Sequence, residues 1–499
     1  MSERDLPSAS DGTRPTRLLL GWLTAALAYA WLTALLLAFS DRFDNDNELA
    51  DMPALALAGG LVAGGVVYGL VFALIAPSLR LGQHAGRVLL FAIVGFGLAL
   101  RIALSFSTPA IEDDYFRYLW DGAVVAQGLN PYAYAPEQAD DAGTPDALTA
   151  LAEDDAGANV RSRINHASLK TIYPPTAQAA FLLAYVIEPW SLGAWRIVCL
   201  AADVVTLTLL LALLAHLGRP ALWVSLYWLN PVVLKELFNS AHMEAIVIPP
   251  VLAAVLLALR DRQRMAALLL GIAVGAKLWP LILAPIVFRR LIGQTRLLFE
   301  VAVIFAIACA LAALPALLGG LDETSGFVAY ATHWQTNSAL LPALEAGWRA
   351  LLVPFGGEAS SGRLSRALLG LLLAASVTRL AWRPVRSDMD MTARLALALM
   401  ALVLLSPAQF PWYLVWAAWL LPVQPSAALM VATVTMPVYY ASFHFHANGT
   451  YWIFRDVVVW AIWLPVWLTI ILETKAAQTA GKKLGDFGRR TFSRRRPPP

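Results

Sequence analysis

Charged side chains are scarce in this chain of 499 residues. Only 14% of its residues are Asp, Glu, Lys or Arg and 59% are hydrophobic, whereas about a quarter of the residues in soluble domains are charged. Both cysteines, Cys199 and Cys309, lie inside apolar runs, so there is no cysteine framework for a disulfide or a metal. The sequence also lacks a Walker loop, a dinucleotide fingerprint, a metalloprotease helix and a nucleophile elbow. These absences exclude the enzyme classes that those motifs define, and the composition indicates a membrane protein.

Long apolar runs extend through nearly the whole chain. A bilayer core is crossed by a helix of about 20 apolar residues, and the first run has no convincing small-residue cleavage site, so we expect it to remain as an anchor. The pattern predicts an all-α, polytopic transmembrane helical bundle of about 11–14 helices, including re-entrant or broken ones. Candidate spans lie near 18–39, 54–76, 88–106, 194–217, 220–234, 243–260, 298–318, 364–381, 391–406, 410–424, 426–442 and 456–473.

Two further apolar stretches are short or interrupted. One is 176–187, which is bounded by prolines, and the other is 265–288, which is broken at Lys277 and Pro280. Short apolar runs are often re-entrant, and irregular backbone survives at membrane depth only where it is buried or lines a cavity. Both stretches therefore indicate a cavity within the bundle.

Basic residues between the spans set the expected orientation. They cluster near residues 14–17, 80–87, 260–264, 289–296 and 379–386, and such clusters favour the cytoplasmic side. We therefore predict a cytoplasmic N-terminal segment (1–16), a transmembrane domain (17–473) with a long outer loop (107–173), and a basic, disordered cytoplasmic tail (474–499) attracted to anionic lipid. A high Ala, Leu and Arg content suggests a GC-rich bacterium, and therefore the bacterial inner membrane with a periplasmic outer side.

An acidic cluster follows the third span directly. The run I-E-D-D-Y-F-R-Y-L-W-D-G places Glu112, Asp113 and Asp114 at the outer membrane surface. Clustered carboxylates raise one another's pKa, and they can serve as a general base or bind a divalent cation. The alternative is a helix cap with a solvated face. The periodicity of 113–127 predicts an amphipathic helix lying at the membrane interface.

A second polar cluster lies between two apolar runs on the outer side. It contains Lys235, Glu236, Asn239, His242 and Glu244. Charges at a membrane boundary are costly unless they are paired or wet, so these residues are candidates for a site. The alternative is a Lys235–Glu236 surface pair beside ordinary helix caps.

Lys277 lies at the tip of the interrupted stretch and is the only charge between Arg264 and Arg289. A cation on an unwound tip suits a phosphate or pyrophosphate group, whereas the alternative is that its stem snorkels to the interface. Weaker candidates for substrate contacts on the outer loops are Arg163, His166, Tyr173, His333 and Asn337.

The motifs occur in a fixed order along the chain. After the acidic run come G-L-N-P-Y (128–132), Y-P-P (173–175), L-N-P (229–231), N-S-A-H-M-E-A (239–245), G-A-K-L-W-P (275–280), H-W-Q-T-N-S (333–338) and S-P-A-Q-F-P-W-Y (406–413). This combination resembles the GT-C superfamily of integral-membrane glycosyltransferases. It is most similar to bacterial polyprenol-phosphate-sugar-dependent mannosyltransferase-like proteins, and more distantly to the catalytic subunit of GPI mannosyltransferase I.

The resemblance implies an inverting transfer of a sugar, by family weight mannose, from a polyprenyl-phosphate-linked donor. The acceptor would be a glycolipid, polysaccharide or protein, and no nucleic-acid partner is expected. Asp114 best matches the essential acid of the family, with Glu112 and Asp113 completing the acidic motif. Two spans precede the acidic loop, which departs from the family pattern. Metal dependence varies in the superfamily, so a divalent cation, Mg²⁺ or Mn²⁺, stays open, with Glu112 and Asp114 as its ligands if one binds.

The expected chemistry needs one carboxylate and a group of cations. A glycosyl phosphate has a good leaving group, so a single base, Asp114 or alternatively Asp113, suffices to take the acceptor proton. The cations that could hold the departing phosphate are Lys277, Lys235, His242 and Arg163. The rival functions are a secondary transporter or lipid flippase, which should show paired halves and midplane charges, and a non-catalytic partner in envelope assembly.

Overall fold

The computed structural model describes residues 13–475, so most of the predicted segment 1–16 and nearly all of the tail 474–499 lie outside the described residues. Within 13–475 the fold is helical and contains no β-strand. Among the residues that the structure describes, eight helices are long and apolar enough to cross a membrane, and three more are apolar but shorter. The all-α polytopic bundle is therefore confirmed. The eight helices are Thr13–Ala38, Ala54–Ser78, Gln83–Leu104, Leu192–His216, Thr295–Gly319, Ser361–Trp382, Ala427–Ala447 and Tyr451–Lys475.

The interrupted stretches break where the sequence places the breaks. The helix Pro175–Ile187 is one of the three shorter apolar helices, and a second, Gln263–Val274, ends just before Lys277. The two meet at this break, because Thr176 N donates to Gly275 O at 2.7 Å. This hydrogen bond gives a partner to the buried carbonyl of Gly275 at the break, as irregular backbone inside a membrane protein requires.

Two predicted spans, 220–234 and 410–424, are interrupted, so the expectation of a continuous helix in each is wrong. The first consists of the short helices Ala221–Val224, Ser225–Trp228 and Pro231–Leu234, and the second is fragmented in the same way after Pro411. Proline lacks an N–H donor and disfavours helical backbone in the residue before it. The breaks therefore place irregular backbone inside the bundle, next to the buried polar side chains Asn230, Lys235 and Glu236.

The first two helices hold the broken segment at 221–234. A break in a helix leaves backbone carbonyls that need partners. Tyr29 Oη donates to Leu229 O at 2.8 Å, and Tyr68 Oη donates to Leu226 O at 2.5 Å. Both side chains are buried. The two additional N-terminal spans are therefore integral to the architecture that carries the polar cluster.

We expect Tyr68→Phe to destabilise the protein, because a buried carbonyl that loses its partner costs about 1–3 kcal/mol. Thermal unfolding of the purified protein in one detergent would measure the loss, and Tyr29→Phe should add to it. Tyr134, whose hydroxyl makes no hydrogen bond within 13–475, is the matched control for removal of a phenolic oxygen. An unfolding temperature for Tyr68→Phe equal to that of Tyr134→Phe would contradict this role.

The helix predicted at 113–127 is present as Asp114–Ala126, but the protein covers its polar face. All residues from Phe116 to Val124 are buried, including Asp121. The carboxylate of Asp121 pairs with Arg117 at 3.0 Å and accepts hydrogen bonds from Thr171 at 2.5 Å and Gln178 at 2.9 Å. The polar face that suggested contact with solvent is therefore bound by the outer loop and the helix that follows it.

A second buried ion pair fastens the helices behind the polar cluster. Arg101 and Asp203 are fully buried and lie 2.6 Å apart, and Tyr227 Oη donates to Asp203 at 2.5 Å. The Arg101 guanidinium stacks on Trp228 at 3.5 Å from the ring centroid. Buried charges survive only with such partners, so this pair joins two long helices to the broken segment.

Candidate functional site

A cavity of about 790 Å³ opens between the outer loop, the tip at 277–279 and the segments near 327–334 and 406–416. Six of the residues predicted from the sequence line it, although they come from distant parts of the chain. They are Glu112, Asp113, Asp114, His166, Tyr173 and Lys277. The acidic motif and the cation at the unwound tip therefore face one enclosed volume.

The acidic triplet is held in place by one amide. Asn165 Nδ2 donates to Asp113 Oδ1 at 2.6 Å and to Asp114 Oδ1 at 3.2 Å. Ile111, directly before the triplet, has φ 56°, a conformation that is rare for a β-branched residue. This turn directs Glu112 into the protein interior while Asp113 and Asp114 stay half-buried at the cavity wall. The outer loop thus supplies both the acids and the group that orients them.

The pKa of the Asp113 carboxyl is raised to about 7, chiefly by burial and in addition by the negative charges of Asp114 and Glu112. Burial also raises the pKa of Asp114, while the nearby His242 opposes the increase. A general base is most effective when its pKa lies near the working pH. The shift brings the pKa of Asp113 to this range, and that of Asp114 moves in the same direction.

The raised pKa of Asp113 predicts a pH-dependent stability. The unfolded carboxyl titrates near 3.8 and the folded one near 7, so the folded state binds more protons between these values and stability falls as pH rises through this window. We expect Asp113→Asn to unfold a few degrees above the wild type at pH 8, with a smaller difference at pH 5. Thermal unfolding at both pH values measures this. Asp46→Asn, at an exposed acid, is the control, and a difference independent of pH would contradict the assignment.

A charged cluster lies directly behind the acidic triplet. Lys235 Nζ is 3.5 Å from Glu112 Oε1 and 3.4 Å from Glu236 Oε2, and it donates to the Tyr440 hydroxyl. Tyr440 Oη in turn donates to Glu112 at 2.8 Å. All four side chains are buried. Lys235 therefore serves the carboxylates and does not line the cavity where a phosphate would bind.

His242 completes this cluster without making a hydrogen bond. Its Nε2 lies 3.5 Å from Glu112 Oε2 and 3.6 Å from Glu236 Oε2, and its Nδ1 lies 3.7 Å from Asp114 Oδ2. The fully buried ring stacks on Trp412 at 4.0 Å between centroids, and neither ring nitrogen has a hydrogen-bond partner. His242 thus connects the buried cluster to the acid that lines the cavity.

Lys277 reaches the cavity from the unwound tip. Its Nζ donates to the buried Glu244, and it lies 5.1 and 5.3 Å from the ring centroids of Tyr413 and Trp416. The side chain keeps 22% of its exposure. A partly exposed ammonium that is held by a carboxylate and two aromatic faces can bind an anion that enters the cavity.

The donor set for a divalent cation differs from the expected Glu112 and Asp114. Ligand atoms of Glu112, Glu236 and His242 lie within 4.8 Å of one another, and carboxylate and imidazole are suitable ligand types. The ammonium of Lys235, however, already lies between the two carboxylates, at 3.5 and 3.4 Å. A metal ion bound to both acids would therefore lie close to a positive charge. The residues as arranged do not fit a metal ion.

Four predicted residues belong neither to the cavity lining nor to the charged groups around it. Arg163 pairs with the exposed Asp46 at 3.0 Å, and His333 is exposed beside Thr332. Asn239 bonds Ser107 and Thr108 and accepts from Ala110 N, and Asn337 donates to Gln409 O at 2.9 Å. The two buried asparagines therefore position backbone segments around the site.

The sequence interpretation gave no role to several residues that shape the site. Glu236 was a candidate of the second polar cluster, with a Lys235–Glu236 surface pair as the alternative, and Asn165 gave no signal beyond its place in a polar stretch. Tyr440 lies inside an apolar run, so no pattern marks it. Aromatic side chains line the cavity beside Lys277 and His242, and only some of them lie in the motifs H-W-Q-T-N-S and S-P-A-Q-F-P-W-Y. This aromatic wall consists of Tyr330, Trp334, Phe410, Trp412, Tyr413, Trp416, Tyr439 and Phe443.

Comparison with known proteins adds two matches to families. Residues 18–293, more than half of the chain, match the model of the alpha-(1->6)-mannopyranosyltransferase N-terminal domain, and residues 345–473 match that of the MptB C-terminal domain. Alpha-(1->6)-mannopyranosyltransferase A of Mycobacterium tuberculosis is 26% identical over 378 residues, which are 68% of this chain and 66% of the relative. The chain thus spans slightly less than two thirds of that relative's length, and no solved structure matches.

Proposed function

Because this chain belongs to the alpha-(1->6)-mannopyranosyltransferase family, we propose that it transfers a mannosyl group from a polyprenyl-phosphate-linked donor to a hydroxyl of a glycan acceptor, with inversion at the anomeric carbon. The transfer takes place on the periplasmic face of the bacterial inner membrane, and both termini are cytoplasmic. The supporting observation is that Asp113 and Asp114 share one cavity with Lys277.

The two charges suit the two ends of a single displacement. The acceptor hydroxyl must lose a proton as it attacks, and Asp114 takes this proton. The donor must release a phosphate, and Lys277 stabilises the charge that develops on it. Asp114 is preferred over Asp113 because its Oδ2 faces His242, at 3.7 Å from Nδ1. Attack from the face opposite to the leaving phosphate inverts the anomeric configuration, and the reaction needs no second carboxyl to protonate the leaving group, unlike hydrolysis of a glycoside.

A lipid-borne donor fits the surroundings of Lys277. The adjacent side chains Leu278 and Leu281 are 55% and 51% exposed, and they lie in a multi-pass helical protein where an exposed apolar surface faces lipid. The polyprenyl chain would run along this surface while its phosphate reaches the ammonium of Lys277. The mannosyl group would then lie in the cavity near the aspartates.

The acceptor enters from the side of the aromatic wall. The half-buried ring of Trp334 provides a flat apolar surface, on which a mannose ring can stack while its hydroxyl faces Asp114. An acceptor made of several sugars, as part of a glycolipid or polysaccharide, would use this wall over more than one ring. The third class of acceptor is a protein, which can be offered in the transfer assay in place of the short mannoside.

The test is transfer by the purified full-length protein in lipid nanodiscs. Polyprenyl-phosphate-linked labelled mannose is offered with a short alpha-mannoside acceptor, and a nucleotide-linked mannose serves as the control donor. We expect a product only from the lipid donor, with the opposite anomeric configuration to that donor by NMR. Product from the nucleotide donor alone, or movement of the donor across a vesicle membrane without transfer, would overturn the proposal.

A further inference from the structure

The buried carboxylates Glu112 and Glu236 already have a cation between them. Lys235 Nζ lies 3.5 and 3.4 Å from their oxygens, and these separations are those of an ammonium that contacts two acids. Its side chain is 2% exposed, so the ammonium and the two carboxylates are shielded from cations in the solvent. His242 and Tyr440 close the remaining sides of the cluster.

The same acids, together with His242, have the ligand types of a metal site. Two carboxylates and an imidazole nitrogen lie within 4.8 Å of one another, and both ring nitrogens of the buried imidazole lack hydrogen-bond partners. Tetrahedral zinc binds such ligands at about 2.0–2.2 Å, which places any two of them about 3.4 Å apart. His242 Nε2 already lies 3.5 and 3.6 Å from the two acids, so only the carboxylates would need to approach each other, by about 1 Å, to surround an ion.

From these contacts we propose that Lys235 is the resident cation of the Glu112–Glu236–His242 cluster, where it takes the place of a divalent metal. The wild-type protein then binds no metal there and needs none for transfer. Loss of the ammonium leaves two buried carboxylates beside a free imidazole, and this arrangement favours a divalent ion. The part about transfer rests on the proposed function, whereas the part about metal binding stands independently of it.

Electrostatics explains why one position does not hold both cations. An ammonium and a divalent ion sharing Glu112 and Glu236 in a buried region would repel each other strongly at low effective dielectric. Lys235 cannot withdraw toward solvent, because its Nζ is also fixed by Tyr440 and lies 3.8 Å from the centroid of that ring. The lysine therefore protects the acids from metal ions as well as neutralising them.

The experiment compares metal binding by the full-length wild type and Lys235→Met. Methionine has a similar length and no charge. After dialysis against EDTA, each protein is titrated with Zn²⁺ while thermal unfolding is followed, and with Co²⁺ while the visible d–d absorption is followed. We expect no response from the wild type. For Lys235→Met we expect a lowered unfolding temperature that Zn²⁺ raises by several degrees, and one Co²⁺ per chain with nitrogen–oxygen ligation.

Three further variants make the outcome specific. Lys277→Met, which removes a cation from a different carboxylate, should gain no metal site, and Lys235→Met combined with His242→Ala should lose the one gained. If Lys235→Met does not fold, Lys235→Gln replaces it. One Co²⁺ bound by the wild type and lost in Glu236→Gln would overturn the proposal, as would the absence of binding in both Lys235 variants. These readouts do not require turnover, so a failed transferase assay leaves them decisive.

Discussion

Asp114→Asn is expected to lower the turnover number for mannosyl transfer by about 10²–10⁴-fold, the usual contribution of a general base. Asparagine has the same shape and still accepts the hydrogen bond from Asn165 Nδ2, but it cannot take a proton. The Michaelis constant for the lipid donor should change little, since Lys277 and the apolar surface beside it remain. Steady-state kinetics with labelled donor, together with donor binding to the variant, separates the two quantities.

Two companion variants sharpen this result. Asp46→Asn removes an acid that is exposed and pairs with Arg163 outside the cavity, so its turnover should equal that of the wild type. Asp113→Asn should retain part of the activity, because Asp114 remains to accept the proton. Full turnover in Asp114→Asn would remove this residue from the role of base, and a complete loss confined to Asp113→Asn would transfer the role to its neighbour.

Loss of the Lys277 ammonium is the second large effect. Removal of one group that stabilises a developing anion typically costs about 10²–10³-fold in turnover. Lys277→Met alone would also leave Glu244 buried and unpaired, which destabilises a protein irrespective of function. The informative variant is therefore Lys277→Met combined with Glu244→Gln, which removes both charges of the pair. We expect this double variant to fold and to lose donor turnover.

Glu244→Gln alone is the matched control, because it leaves the ammonium facing the cavity. Glu244→Gln should keep most of the turnover. Lys277→Arg should keep a fraction of the wild-type turnover, since a guanidinium also binds phosphate but with a different shape. The unfolding temperature of each variant is measured alongside the kinetics. A double variant with unaltered kcat/KM for the donor would show that Lys277 does not contact the phosphate.

The parts of the molecule that follow from periodicity could be predicted from the sequence. Apolar runs of sufficient length gave the polytopic helical bundle, and the position of Lys277 beside Pro280 gave the broken stretch. The runs at 220–234 and 410–424 were misleading, because composition is the same for a span and for a buried, fragmented segment. Pro231 and Pro411 mark the breaks, but proline alone is not a sufficient signal, because the continuous helix Glu244–Leu259 contains two.

The membership of the site was harder to predict than its general location. The acidic triplet and Lys277 stood out because charges are rare in this chain, and both line the cavity. Asn165, Glu236 and Tyr440 are brought to the triplet by long-range packing, as the 328-residue separation between Glu112 and Tyr440 illustrates. Conversely, Asn239 and Asn337 look like ligands in the sequence, yet they satisfy backbone groups. Local patterns carry no information about such pairings.

Left-handed backbone at two non-glycine residues has a consequence for how variants of this protein would behave. Ile111 and Ala241, at φ 56° and 58°, directly precede Glu112 and His242. Such conformations cost about 1–3 kcal/mol each, and glycine would adopt them freely. At position 241, where only a methyl group is lost, glycine should therefore relieve this cost and leave the His242 imidazole less fixed in orientation. At position 111 the loss of a buried isoleucine side chain outweighs the relief. The chain retains a residue larger than glycine at each position. The backbone strain at these residues thus accompanies a fixed orientation of the Glu112 and His242 side chains.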